Sequence, residues 1–199
     1  MLMSDRIECL VSVAEYRFPD VASPSQLHNA VYQGGFYQVS SSTACVFAEH
    51  SWLRSHSVRP VKAVACNSPY IEIGGRCLMV DSVTKGTWAD MRGICQLLNG
   101  DLVKIDSLEI MSAIVEYIKN SDFPDSSFWV GANDEGNEGA WTWPDGTPVI
   151  MGFPLWDQCT SQQPDGDQNQ NCAIMAAESC FFLHDVLCDS QYYGICEGQ

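Results

Sequence analysis

The sequence predicts an α+β domain, stapled by disulfides and loop-rich on one face, behind a small N-terminal module. Three observations carry this prediction. Two stretches of helical periodicity sit in a chain whose other apolar runs are short and strand-like. The chain has 10 cysteines with no Cys-x-x-Cys, and only 4 histidines to complete a zinc site, which points to disulfides and an oxidising compartment. Hydrophobic residues make up 46% of the 199 positions, enough for a real core, and no apolar run approaches the roughly 20 residues that span a bilayer.

Charge sets the boundary between the two parts. The formal net charge is -15, so a polyanion is repelled and nucleic acid is excluded as a partner. Residues 1–65 carry 5 basic and 5 acidic side chains, and the other 20 acids follow. The shift coincides with the basic, proline-bearing stretch 52–62, which reads as a linker, so the domains are 1–64 and 65–199. In the first part, residues 35–39 and 44–48 have strand-like composition. Parity pairs Cys9 with Cys45 across a module with few core residues. Two charges within Met1 to Arg6 stand where the apolar core of a secretory leader belongs, so no signal peptide is visible in this chain although secretion is expected.

Beyond the linker each element has its own signal. Thr87 and Asp90 have the spacing of a capping box, and Trp88, Met91, Cys95 and Leu98 then share one helical face until Asn99-Gly100 stops the turn. A second helix starts at Asp106 or Ser107, with Glu109 placed to return a capping hydrogen bond. Its buried stripe is Ile110, Ile114, Tyr117 and Ile118, and it ends near Asn120. Residues 127–131, 172–175 and 192–196 read as strands between loops rich in Gly, Asp, Asn and Gln. Five tryptophans, Trp88, Trp129, Trp141, Trp143 and Trp156, are assigned to the core rather than to a binding surface, and Phe182, Tyr192 and Tyr193 likewise pack inward.

In order, Cys66 to Cys77, Phe128-Trp-Val-Gly131, Trp141-Thr-Trp143 with Asp145-Gly146, Gln163-Pro164-Asp165, His184-Asp185, Cys188 and Gly194-Ile-Cys-Glu197 resemble the C-type lectin-like domain over residues 66–197. The match is to the long form with a Gln-Pro-Asp tripeptide, in the style of invertebrate secreted lectins. The resemblance implies disulfides Cys66–Cys77, Cys95–Cys196 and Cys172–Cys188. Cys159 and Cys180 are left over, either paired with each other or bridging to a second chain.

The resemblance also implies a calcium-clamped sugar site. Calcium takes about six to eight oxygen ligands, and the family supplies them here from Gln163, Asp165 and Asp185, with the peptide before Pro164 cis. Two positions depart from the family pattern: Gln170 replaces a glutamate and His184 an asparagine. The first removes a charge and the second offers a nitrogen to a hard cation, so the site is weakened. An auxiliary calcium position maps onto Asp134, Glu138 and Asn171, with Gly166 where a further acid often sits; the same acids also read as a solvated turn.

Gln-Pro-Asp leans toward galactose, yet no aromatic platform follows the tripeptide, so discrimination among sugars should be shallow. The expected function is calcium-dependent carbohydrate binding, with microbial surface polysaccharide or cell-surface glycans as targets, in the manner of innate immune lectins. Single sites of this kind bind at about millimolar, so useful avidity implies an assembly of several copies. The alternative is a calcium-independent domain of the same fold that binds a protein or another surface. No Gly-x-Ser-x-Gly, His-Glu-x-x-His or phosphate-cradling glycine loop is present, and no enzyme is expected.

Overall fold

The computed structural model describes residues 64–198 apart from residues 153, 159, 160 and 167. The N-terminal module, with Cys9 and Cys45, lies outside the described residues up to residue 63, as does Cys159.

A hairpin opens the domain. Strands β1 (Ile71–Ile73) and β2 (Arg76–Val80) pair antiparallel around Gly74 and Gly75, whose positive φ values of 59° and 79° give the primed turn that suits strand twist. Helix α1 (Trp88–Leu97) follows, with both hydrogen bonds of the capping box made between Thr87 and Asp90. It buries Trp88, Met91 and Cys95, as its spacing predicts. Strand β3 (Gly100–Leu102) comes directly after Asn99, which takes a positive φ of 59° to end the helix.

Helix α2 (Leu108–Lys119) starts at Ser107, whose hydroxyl accepts from the Ile110 amide. With Ser107 as the cap, Glu109 is the second helical residue, one position short of where a side chain returns the bond. It favours the helix dipole instead. The buried stripe is Ile110, Met111, Ile114, Val115 and Ile118; Tyr117, expected within it, is only half buried.

The sheet is assembled from distant segments. Strands β4 (Phe128–Asn133), β5 (Cys172–Met175), β6 (Leu183–Val186) and β7 (Tyr193–Gly198) join the hairpin in the order β1-β2-β7-β4-β5-β6, and β3 also pairs with β7. β7 runs parallel to β4 and antiparallel to β2 and β3, so the chain end locks both halves together. The expected runs 127–131 and 192–196 are each shifted by a residue or two, and β3 had no strand signal because three residues show no period.

All five domain tryptophans are buried. Trp88 Nε1 donates to the Val130 carbonyl and Trp129 Nε1 to the Gly86 carbonyl, each at 2.9 Å, so both indoles tie helix, strand and loop together. Tyr192 packs edge-on against Trp129 and Tyr193 lies against Phe128, and both remain half buried. The disulfides Cys66–Cys77, Cys95–Cys196 and Cys172–Cys188 are formed. Cys180 is also disulfide-bonded, to none of these six cysteines, so its partner lies outside the described residues.

Candidate functional site

Between β4 and β5 the described residues of 134–171 form no regular strand or helix. They return to the sheet at Trp156, which bridges to Leu183 of β6, and at Asp157, whose amide donates to the Leu183 carbonyl at 3.2 Å. Asp157 then carries the tripeptide. Its carbonyl accepts from the Gln163 amide at 2.8 Å and from Gln158 Nε2 at 2.9 Å. Its carboxylate, 1% exposed, meets His184 Nε2 at 3.0 Å.

The peptide between Gln163 and Pro164 is cis, as the tripeptide implied. The Gln163 side chain is buried: its Oε1 accepts from the Asp185 amide at 3.2 Å and its Nε2 donates to Ser161 Oγ at 2.9 Å. Asp185 reaches back, and its two carboxylate oxygens accept from the amides of Asp165 (3.0 Å) and Gly166 (2.8 Å). Gln163, Asp165 and Asp185 are therefore linked by hydrogen bonds, and His184 joins them through Asp157, whose carboxylate meets its ring and whose carbonyl holds the Gln163 amide. The Asp165 side chain is the exposed member.

Gln170 is half buried beside them. A Cβ added to Gly166 would lie on the Gln170 Cβ and 2.6 Å from Asp185 Oδ2, which leaves no room at Gly166 for an acid on this backbone. In the auxiliary set, Asp134 is 4% exposed, Glu138 is exposed, and the Asn171 amide is turned to the Gln168 carbonyl at 3.1 Å. Asp134 Oδ2 accepts from the Gly139 amide at 2.8 Å, whereas Asp134 Oδ1 is buried without a partner. Burial pushes the Asp134 carboxyl above its ordinary value, the Gly139 amide pulls it back in part, and the negative charge of Asp185 pushes it up again.

Whether these residues suit a cation divides by position. Around the tripeptide, the oxygens of Gln163 and Asp185 already accept amide hydrogens, and among the described residues no three His, Cys, Asp or Glu side chains converge as a metal site. No such group converges at Asp134 either; what stands there is one buried carboxylate oxygen without a partner, which a hard cation would relieve.

The tripeptide lines an open cavity of about 580 Å³ together with Met151, Gln158 and Gln162. Reading the sequence missed Asp157 and Ser161, which hold the tripeptide from below. The only available signal for Asp157 was an acid directly after a core tryptophan.

The family model described as the lectin C-type domain matches residues 84–198. The chain is 28% identical over 123 residues to hepatic lectin of Gallus gallus, covering 62% of this chain and 55% of that protein. Among solved structures, a calcium-independent type II antifreeze protein aligns at 27% identity and a TM-score of 0.57, covering 68% of this chain and 95% of that one. A structure described as an SPL-1–GlcNAc complex aligns at 26% identity and a TM-score of 0.56, covering 66% of this chain and 93% of that one. The chain spans 55% of the length of the hepatic lectin, 33% of one human relative and 59% of another curated relative.

Proposed function

As the chain belongs to the C-type lectin domain family, whose members are generally non-enzymatic binding proteins, we propose that it binds carbohydrate on the loop face around Gln163, Pro164 and Asp165. The observation that carries this reading is the pinned tripeptide. Asp185 and Asp157 hold its backbone from beneath while the Asp165 carboxylate stays open beside the cavity. A preorganised loop with an exposed acceptor suits weak recognition of sugar hydroxyls.

Calcium, when bound, supplies a positive charge that both carboxylate-rich loops and sugar hydroxyls can share. At the sugar position Asp165, Asp185 and Gln163 would hold it, with Gln170 and His184 beside them; at the auxiliary position Asp134, Glu138 and Asn171 would. Asp185 links the two positions, since it holds the tripeptide amides and raises the Asp134 carboxyl. The ligand lean is toward galactose with shallow discrimination, on microbial or cell-surface glycans outside the cell, and several copies acting together supply avidity. Among the described residues no helix is long and apolar enough to cross a membrane.

One observation favours a second reading, calcium-free binding to a surface: the Gln163 and Asp185 oxygens are already occupied by amide hydrogens. Retention on immobilised galactose, with calcium and with chelator, separates the two. The first reading expects retention only with calcium, abolished in Asp165→Ala while that variant melts as the parent does in chelator. Full retention by Asp165→Ala sinks the tripeptide site.

A further inference from the structure

Taking the loop face as the carbohydrate site, we infer that Met151 is an oxidative modification site on it, where a peroxide converts the thioether to a sulfoxide and so turns carbohydrate binding down. Reactive sulfur is scarce on this domain. Met91, Met111 and Met175 are 0% exposed and Met79 is half buried on β2, whereas Met151 is 43% exposed and lines the cavity beside Gln163, Pro164 and Asp165. Among the described residues no cysteine is free, so no thiol there competes for the oxidant. Met1 and Met3 lie outside the described residues.

The chemistry is a two-electron oxygen transfer. A sulfur lone pair attacks one peroxide oxygen, and the S–O bond forms as the O–O bond breaks. The departing oxygen takes the proton of the transferred one and leaves as water or an alcohol, so sulfur is oxidised by two electrons and the peroxide reduced by two. Position decides the consequence. The carbonyl of Gly152, next to Met151, accepts from the amide of the fully buried Trp156 at 3.2 Å, so the backbone beneath the side chain stays in place when the sulfur changes. What changes is the wall of the cavity. Met151 and Pro164 are the apolar side chains among the described residues lining it. A sulfoxide makes one of these two polar and chiral, and adds an acceptor to a cavity that the Asp165 carboxylate already lines. A sugar C–H face packed on the thioether loses that contact.

The test treats the full, disulfide-bonded chain with dilute hydrogen peroxide, locates the gain of one oxygen by peptide mass spectrometry, and measures retention on immobilised galactose with calcium. Met151 should gain oxygen first, with Met91, Met111 and Met175 unchanged; Met1 and Met3 are read on a separate peptide. Losing apolar contact equal to about one methylene predicts retention about fourfold weaker. Met151→Leu keeps the wall apolar without a sulfur, so it should be retained as the parent is and hold that retention through peroxide. Met151→Gln puts a polar group of similar length on the same wall and should reproduce the oxidised parent without peroxide. Met151 is exposed on a loop, so neither variant threatens folding. Oxidation of a buried methionine ahead of Met151 overturns the modification site, whether or not any sugar binds. Full oxidation of Met151 with retention unchanged, or loss of retention to peroxide in Met151→Leu, overturns the control of binding and leaves the carbohydrate reading standing. Failure of the untreated chain to be retained, with and without calcium, overturns that reading and the control with it, while the oxidation map still decides the site.

Discussion

Asp134 holds a buried carboxylate oxygen with no hydrogen-bond partner in the protein, at a cost of about 1–3 kcal/mol for a buried unpaired acceptor. Because its native pKa is raised, the cost depends on pH. Below the ordinary carboxylate value of about 4 both native and unfolded chains carry the proton and nothing is lost. As pH rises, the unfolded chain ionises first, so native stability falls, and the loss is complete once pH passes the raised native value. Asp134→Asn should therefore melt higher than the parent at pH 7 in chelator, by about 1 kcal/mol, with the difference closing below about pH 4. An equal difference at both pH values would assign the effect to packing. Millimolar calcium should reverse the order, raising the melting temperature of the parent and not that of the variant. At Gln170, half buried over Gly166 and Asp185, Gln170→Glu adds a third carboxylate, and titration calorimetry should find calcium binding about tenfold tighter, about 1.4 kcal/mol. No gain would show that the loop is not arranged around an ion.

At the scale of an element, β4 depends on one absent side chain. A Cβ at Gly131 would lie 2.6 Å from Pro144 Cδ and 2.9 Å from the Leu102 carbonyl oxygen. The strand cannot retreat, because the Gly131 amide donates to the Val103 carbonyl at 2.9 Å. Gly131→Ala should cost roughly 1–3 kcal/mol in denaturant unfolding, as overpacking does. An unchanged midpoint would mean that the 144–147 turn moves freely away from the strand. The same close approach sets the start of the 134–171 segment, so a displaced turn should also weaken sugar retention.

Across the whole molecule, stability is spread over bridges of very different span. Cys95–Cys196 closes a separation of 101 residues and joins α1 to β7, whereas Cys66–Cys77 closes only 11. On chain-entropy grounds the first is worth about 4.7 kcal/mol and the second less than about 3 kcal/mol. Replacing the Cys95–Cys196 pair by alanines should therefore lower the denaturation midpoint more than replacing the Cys66–Cys77 pair. The reverse order would place the main constraint in the hairpin. Alkylation of the intact, folded chain followed by mass spectrometry should label no cysteine; two or more labelled thiols would break the parity argument.

The sequence by itself determined the α+β class, both helices, the buried tryptophans and the three bridges, by two routes. Capping spacing and a stripe of period 3.6 are local properties of consecutive residues, so Thr87 with Asp90 and Ile110 with Ile114 are legible one after another. The order of motifs and cysteines supplied the rest through resemblance. Tertiary structure alone decided β3, which is three residues long and exists because β7 passes beside it, and the half-burial of Tyr117. It also decided how the site is supported. Asp157 and Asp185 are 28 residues apart, and only the return of the long segment to β6 brings both under one tripeptide. The orphaned oxygen of Asp134 was invisible for the same reason: an acid in a turn reads as solvated until the fold closes over it, and no local rule reports what a distant strand will cover.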